Sequence, residues 1–201
     1  MAVEIEDLMR QLVRLEDEIE RRLEAQQAEF SYRMDRNRAV FEAGVVRRQK
    51  LIKVGMLTFL RNSRLATLVI APAVYGLIVP LVLLDLAVSV YMLVCFSAWS
   101  MERVRRADYV IVDRHRLAYL NGIEKLNCVF CGYANGVIAY AREAASRTEQ
   151  YWCPIKHALR LRSPHGRYRG FVAYGDGEGF RARLGELREQ ARLKDMLDDS
   201  K

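Results

Sequence analysis

The sequence predicts a mainly α-helical membrane protein: an amphipathic amino-terminal helix, a two-pass transmembrane hairpin, and a small α-rich cytoplasmic domain with minor β structure. Three observations predict it. Leucine and isoleucine recur at helical spacing near the amino terminus, the 37 residues from Leu65 to Met101 hold one charged side chain (Asp85), and three of the four cysteines cluster after that run. A 51% hydrophobic fraction in 201 residues excludes a disordered chain.

In the amino-terminal arm, Ile5, Leu8, Leu12, Leu15 and Ile19 follow one another at spacings of 3, 4, 3 and 4, an a/d seam with polar residues nearly everywhere else. Residues 5–23 thus offer a seam for a protein partner or for self-association. Neither Pro nor Gly precedes Gly44, so the helix is expected to continue through Phe30, Met34 and Phe41 towards the membrane. The arm and its basic extension make up residues 1–53.

Residues 33–64 carry nine cations against two acids, Asp35 and Glu42, a balance equal to the +7 of the whole chain. Basic charge beside a hydrophobic span reads as an orientation signal and an anionic-lipid contact, and argues against a nucleic-acid surface.

The membrane unit is expected at residues 54–101. As one straight helix the apolar run would be about 55 Å long against a hydrocarbon core of about 30 Å. The chain should therefore fold back between Gly76 and Asp85, where Gly76 and Pro80 interrupt the helix, giving passes at 65–81 and 83–101. A re-entrant loop is the alternative. Arg47, Arg48, Lys50, Lys53, Arg61 and Arg64 precede the run, and Arg103, Arg105, Arg106, Arg114 and Arg116 follow it. Cations on both flanks place both termini on the cytoplasmic side. The first 30 residues lack the apolar core of a signal peptide, so the hairpin is expected to be the targeting element.

Residues 102–201 are expected to form the cytoplasmic domain. Asp108–Asp113 is β-like, and the next landmarks are Cys128-Val-Phe-Cys131 and Cys153-Pro-Ile-Lys-His157. Cysteines three apart can turn both sulfurs to one side, and Cys153 and His157 share a helical face. Three thiolates and an imidazole suit a structural, tetrahedral zinc ion, so Cys128, Cys131, Cys153 and His157 are the expected ligands. An iron–sulfur centre on the same ligands and thiol redox chemistry at Cys128 and Cys131 are the competing readings. Gly132–Gln150 reads as a helical strut between the pairs. Phe171–Tyr174 is strand-like, Gly175–Gly179 a turn, and Phe180, Leu184, Leu187 and Ala191 stripe a last helix. His115 and His165 read as surface residues. The glycines near 175–179 lack the GK[ST] of a phosphate loop, and Glu124, Glu143 and Glu149 form no acid–base set, so neither catalysis nor a small-molecule substrate is evident.

The stretch Asn127-Cys-Val-Phe-Cys131 with Arg147-Thr-Glu-Gln-Tyr-Trp-Cys-Pro-Ile-Lys-His157, after a hydrophobic hairpin, resembles a family of uncharacterised bacterial membrane proteins over roughly residues 65–180. The resemblance implies a bacterial origin and an inner-membrane location, and brings no activity. The expected function is an inner-membrane adaptor that recruits a partner at the cytoplasmic face. A membrane-bound thiol or iron–sulfur redox protein and a membrane-tethered nucleic-acid binder are the alternatives.

Overall fold

The computed structural model describes residues 2–28, 32–35 and 38–192. These divide into two compact units, Met1–Met56 with Arg116–Asn121, and Leu57–His115 with Gly122–Lys201. The chain is mainly helical.

In the first unit, α1 (Ala2–Ala28) exposes Leu8, Leu12, Leu15 and Ile19, so the seam is unpartnered. The helix stops short of its expected length. The next elements are the antiparallel strands β1 (Tyr32–Asp35) and β2 (Arg38–Phe41), with Tyr32 opposite Phe41, and then α2 (Ala43–Leu51). Met34 and Phe41 therefore belong to a hairpin, where Tyr32 and Met34 alternate with Arg33 and Asp35 at the period of a strand; Phe30 lies outside the described residues.

In the second unit, α3 (Met56–Asn62) precedes the apolar run. The expected fold-back does not occur. Leu65–Phe96 is one helix of 32 residues whose most apolar 18-residue window has mean hydropathy 2.5, made of α4 (Leu65–Gly76), α5 (Ile78–Tyr91) and a π-helical turn (Met92–Phe96). The physical reason lies in the weakness of its breakers. Pro80 cannot donate to the Gly76 carbonyl, so one hydrogen bond is lost at the α4–α5 junction, but Leu77 there keeps right-handed helical angles (φ −62°, ψ −13°). Pro72 is likewise accommodated within α4. No residue of the junction adopts the positive φ that a tight reversal would use; Ser100 does (φ 55°), just past the helix. With one helix in place of two, the even number of crossings that put both termini on the cytoplasmic side no longer follows.

α7 (Gly122–Trp152, 31 residues) is the second long element. It runs parallel to the apolar helix: Tyr75 meets Asn127 and Phe130, Ser89 meets Tyr140, Tyr91 meets Thr148, and Trp99 stacks on Tyr151. The shared core is Met92, Phe96, Met101, Val104, Tyr140, Ala144 and Ala191. Tyr91 and Trp99 thus pack between helices.

Two glycines admit the connecting chain. A Cβ at Gly136 would lie 2.7 Å from the Tyr109 carbonyl oxygen, and one at Gly132 would lie 3.1 Å from that of Ile111. The backbone of residues 109–112 therefore crosses α7 at a site that only glycine allows. This explains why Asp108–Asp113 is not a strand: after the short helix α6 (Arg106–Tyr109), it lies on α7 with no strand beside it among the described residues.

Past α7, Ile155 and Val172 form one parallel β-bridge, all that remains of the expected strand at Phe171–Tyr174. α8 (Gly177–Arg192) begins inside the stretch expected as a turn, Gly175–Gly179, because the Asp176 side chain caps it, with the Gly179 N–H donating to Asp176 Oδ1 at 2.8 Å. Leu187 and Ala191 are buried on the expected stripe.

Candidate functional site

α7 positions most of the chemistry-bearing side chains. Cys128 and Cys131 lie one turn apart, six residues or more inside the helix, while Cys153 directly follows it. A rise of about 1.5 Å per residue puts Cys128 some 37 Å along the axis from Cys153. The two pairs that were expected to share an ion are thus held apart by a continuous helix. Among the described residues, no group of three or more His, Cys, Asp or Glu side chains comes together in one chain.

The four expected ligands do share one property. At about 100° per residue, Cys128, Cys131 and Cys153 fall within about 60° of one another around the axis, and Cys131, Cys153 and His157 are exposed. The opposite face, Tyr133, Val137, Tyr140 and Ala144, is the one turned to the apolar helix. The imidazole of His157 is held from behind. Tyr168 lies beneath it, with the rings 5.8 Å apart and stacked, and its hydroxyl oxygen accepts the His157 backbone N–H at 2.6 Å and lies 3.3 Å from Nδ1.

The Cys153 thiol does not have the surroundings of a reactive one. Partial burial, and secondly the Glu149 carboxylate, push the Cys153 thiol above its ordinary value.

A second cluster was not anticipated. Asp85, in the middle of the apolar helix, accepts three hydrogen bonds from Arg106, at 2.8 Å (Nε to Oδ1), 3.2 Å (Nε to Oδ2) and 2.7 Å (Nη2 to Oδ2), and one from the Tyr133 hydroxyl at 2.9 Å. Its side chain is 12% exposed and that of Arg106 45%. Burial, then the bond to Asp85, holds the Tyr133 phenol above its ordinary value, so it stays protonated and donates. The signal was present in the sequence as the one acid in the apolar run. Its partner, 21 residues away, became visible only once the connecting chain was placed on α7.

A third cluster ties α7 to the segment before α8. Glu143 Oε1 takes 2.8 Å bonds from Arg147 Nε and Arg167 Nη2, and Arg167 Nη1 reaches Gln150 Oε1 at 3.2 Å. Burial opposes ionisation of Glu143, but the two guanidinium groups outweigh it and hold the carboxyl below its ordinary value. His165, expected at the surface, is largely covered and lies 2.9 Å from Glu149. Beside these groups is a cavity of about 280 Å³ lined by Gln150, Gly166, Arg167, Gly170, Phe171, Leu187 and Gln190. Glu143, Arg147 and Arg167 are engaged in ion pairs, and the Arg167 pair ties the segment before α8 to α7.

Compared with family models, with curated proteins and with solved structures, the chain matches none of them. The geometry alone defines its class. It is a mainly helical protein carrying one helix long and apolar enough to span a membrane.

Proposed function

We propose that this chain is a membrane-anchored adaptor, fixed to a lipid bilayer by Leu65–Phe96 and recruiting a protein through the seam of α1. One observation carries the reading. The apolar helix packs along a single stripe, and only 11% of its most apolar 18-residue window is buried. Val69, Ile70, Val79, Leu83, Leu86, Val90 and Leu93 are exposed around the rest of its circumference. A helix apolar on all sides belongs in a protein core or in lipid, and outside the stripe that ends in Met92 and Phe96 this one is not in a core. Its length of about 48 Å exceeds the hydrocarbon thickness, which tilt and burial against α7 accommodate.

The basic segment before the helix suits the cytoplasmic face, with Arg47, Arg48, Lys50, Lys53, Arg61 and Arg64 against anionic headgroups. In a bacterium the membrane would be the inner one. Replacing Val79 and Leu83 by Arg tests the anchor: both side chains are exposed, so the packed stripe is spared, while each charge opposes insertion by about 2.5–3.5 kcal/mol. The wild-type chain is expected in the membrane fraction after alkaline extraction and the double variant in the supernatant. A wild-type chain that alkali releases would overturn the reading.

A further inference from the structure

The apolar seam of α1 has the pattern of one half of a coiled coil, and the other half is not supplied by the described part of its own chain. We propose that the protein taken up by this seam is a second copy of the chain: two α1 helices pair in parallel and in register beside the membrane that anchors both. The inference rests on the anchor and the seam of the proposed function, and names the partner.

The residue types in the seam select that partner. With Ile5 at position a of a heptad, Leu8 and Leu15 fall at d, and Leu12 and Ile19 at a. Isoleucine at a with leucine at d favours two parallel strands. Leu8, Leu15 and Ile19 are each more than half exposed, at 62%, 60% and 58%, so the knobs are present and the holes that would receive them are not.

The charges beside the seam agree. In a parallel pair each g residue faces the next e residue of the other helix. Gln11 then meets Glu16 and Glu18 meets Leu23, so neither of these pairs sets like charges against each other. The cations Arg10, Arg21 and Arg22 are paired with acids of their own helix, Arg10 with Asp7 at 3.8 Å, and Arg21 and Arg22 with Glu18 at 3.2 and 2.7 Å. Arg22, at the d position after Ile19, is thereby drawn towards Glu18, and the seam ends there. What remains for recognition is the apolar stripe, and an identical stripe complements it.

The length of the seam explains why the membrane matters. Residues 5–19 make about two heptads, fewer than the three or four that hold a coiled coil together in solution. Chains anchored in one bilayer are confined to a thin layer, which raises their effective concentration as a linker would. Anchoring in one sense also suits the parallel arrangement. The carboxy-terminal ends of the two α1 helices then lie side by side, and each chain continues to its own anchor; an antiparallel pair would hold those ends about 40 Å apart.

Leu8→Cys in the full chain tests the pairing, since residue 8 is exposed and the substitution spares the fold. The protein is reconstituted into phosphatidylcholine vesicles; flotation reads the anchor, and mild oxidation with mass-spectrometric mapping reads the pairing. A disulfide joining residue 8 of two copies is expected, at least about tenfold more abundant in vesicles than in dilute detergent at the same protein concentration. Adding Leu15→Asp should lower its yield by a similar factor while the chain still floats. Chains that float without forming the link, or that form it equally with Leu15→Asp present, overturn the pairing and leave the anchor standing. A mixture of Leu8→Cys and Ile19→Cys chains that joins residue 8 to residue 19 in preference to residue 8 overturns the parallel register. Chains that do not float overturn the anchor, and the membrane-driven pairing with it.

Discussion

Replacing Gly136 by Ala tests the packing on which the second unit depends, because two opposed effects of known size meet there. Alanine is favoured over glycine in a helix interior by about 1 kcal/mol. At Gly136 the new methyl would stand 2.7 Å from both the Tyr109 carbonyl oxygen and the Val110 Cα. Both are backbone atoms and cannot rotate away, so the crossing chain must retreat by about 0.7 Å to reach ordinary contact, and overpacking of this kind typically costs about 1–3 kcal/mol. The retreat also drags on Arg106, at the start of α6, and so on its bond to Asp85. Gly136→Ala should therefore destabilise by up to about 2 kcal/mol net. Gly185, inside α8, has nothing within 4 Å of a new Cβ, so Gly185→Ala should stabilise by about 1 kcal/mol. For a chain of this size the two variants should differ in Tm by roughly 2–12 °C. Thermal unfolding followed by circular dichroism in mild detergent measures it. Equal stabilisation by both substitutions would refute the placement of residues 109–112 on α7.

Arg106→Ala strands the Asp85 carboxylate on an apolar helix and should destabilise by about 2–3 kcal/mol, whereas Asp85→Leu leaves a guanidinium that water can reach and should change stability by less than about 1 kcal/mol; equal losses in denaturant unfolding would contradict that asymmetry. Because the Glu143 carboxyl is held below its ordinary value of 4.5, its ion pairs contribute fully above that pH and are lost as pH falls through the lower folded value. The Tm gap between wild type and Glu143→Gln should accordingly shrink on acidification from neutrality, and a gap that widens would reverse the assignment. The double substitution of Leu8 and Leu15 by Asp touches an exposed seam, so stability should stay within about 0.5 kcal/mol while any association made through α1 is lost; a loss of 2 kcal/mol or more would show the seam to be packed within the chain.

Local pattern alone determined a good part of this chain. The a/d spacing of Leu8, Leu12, Leu15 and Ile19 determined α1, the apolar composition after Leu65 determined a helix long and apolar enough to span a membrane, and the stripe through Leu187 and Ala191 determined α8. These features survive because helical periodicity is a property of residues a few positions apart. Tertiary structure decided what depends on distant partners. Pro80 and Gly76 could signal either a reversal or a flaw in one helix, and packing against α7 along Tyr75, Ser89 and Tyr91 favoured the flaw. Asp85 found Arg106 only after the chain had turned back across Gly132 and Gly136. Spacing set Cys128 and Cys131 one turn apart on a helix, but it could not measure the distance to Cys153, since a count of residues becomes a length only when α7 is known to be continuous from Gly122 to Trp152.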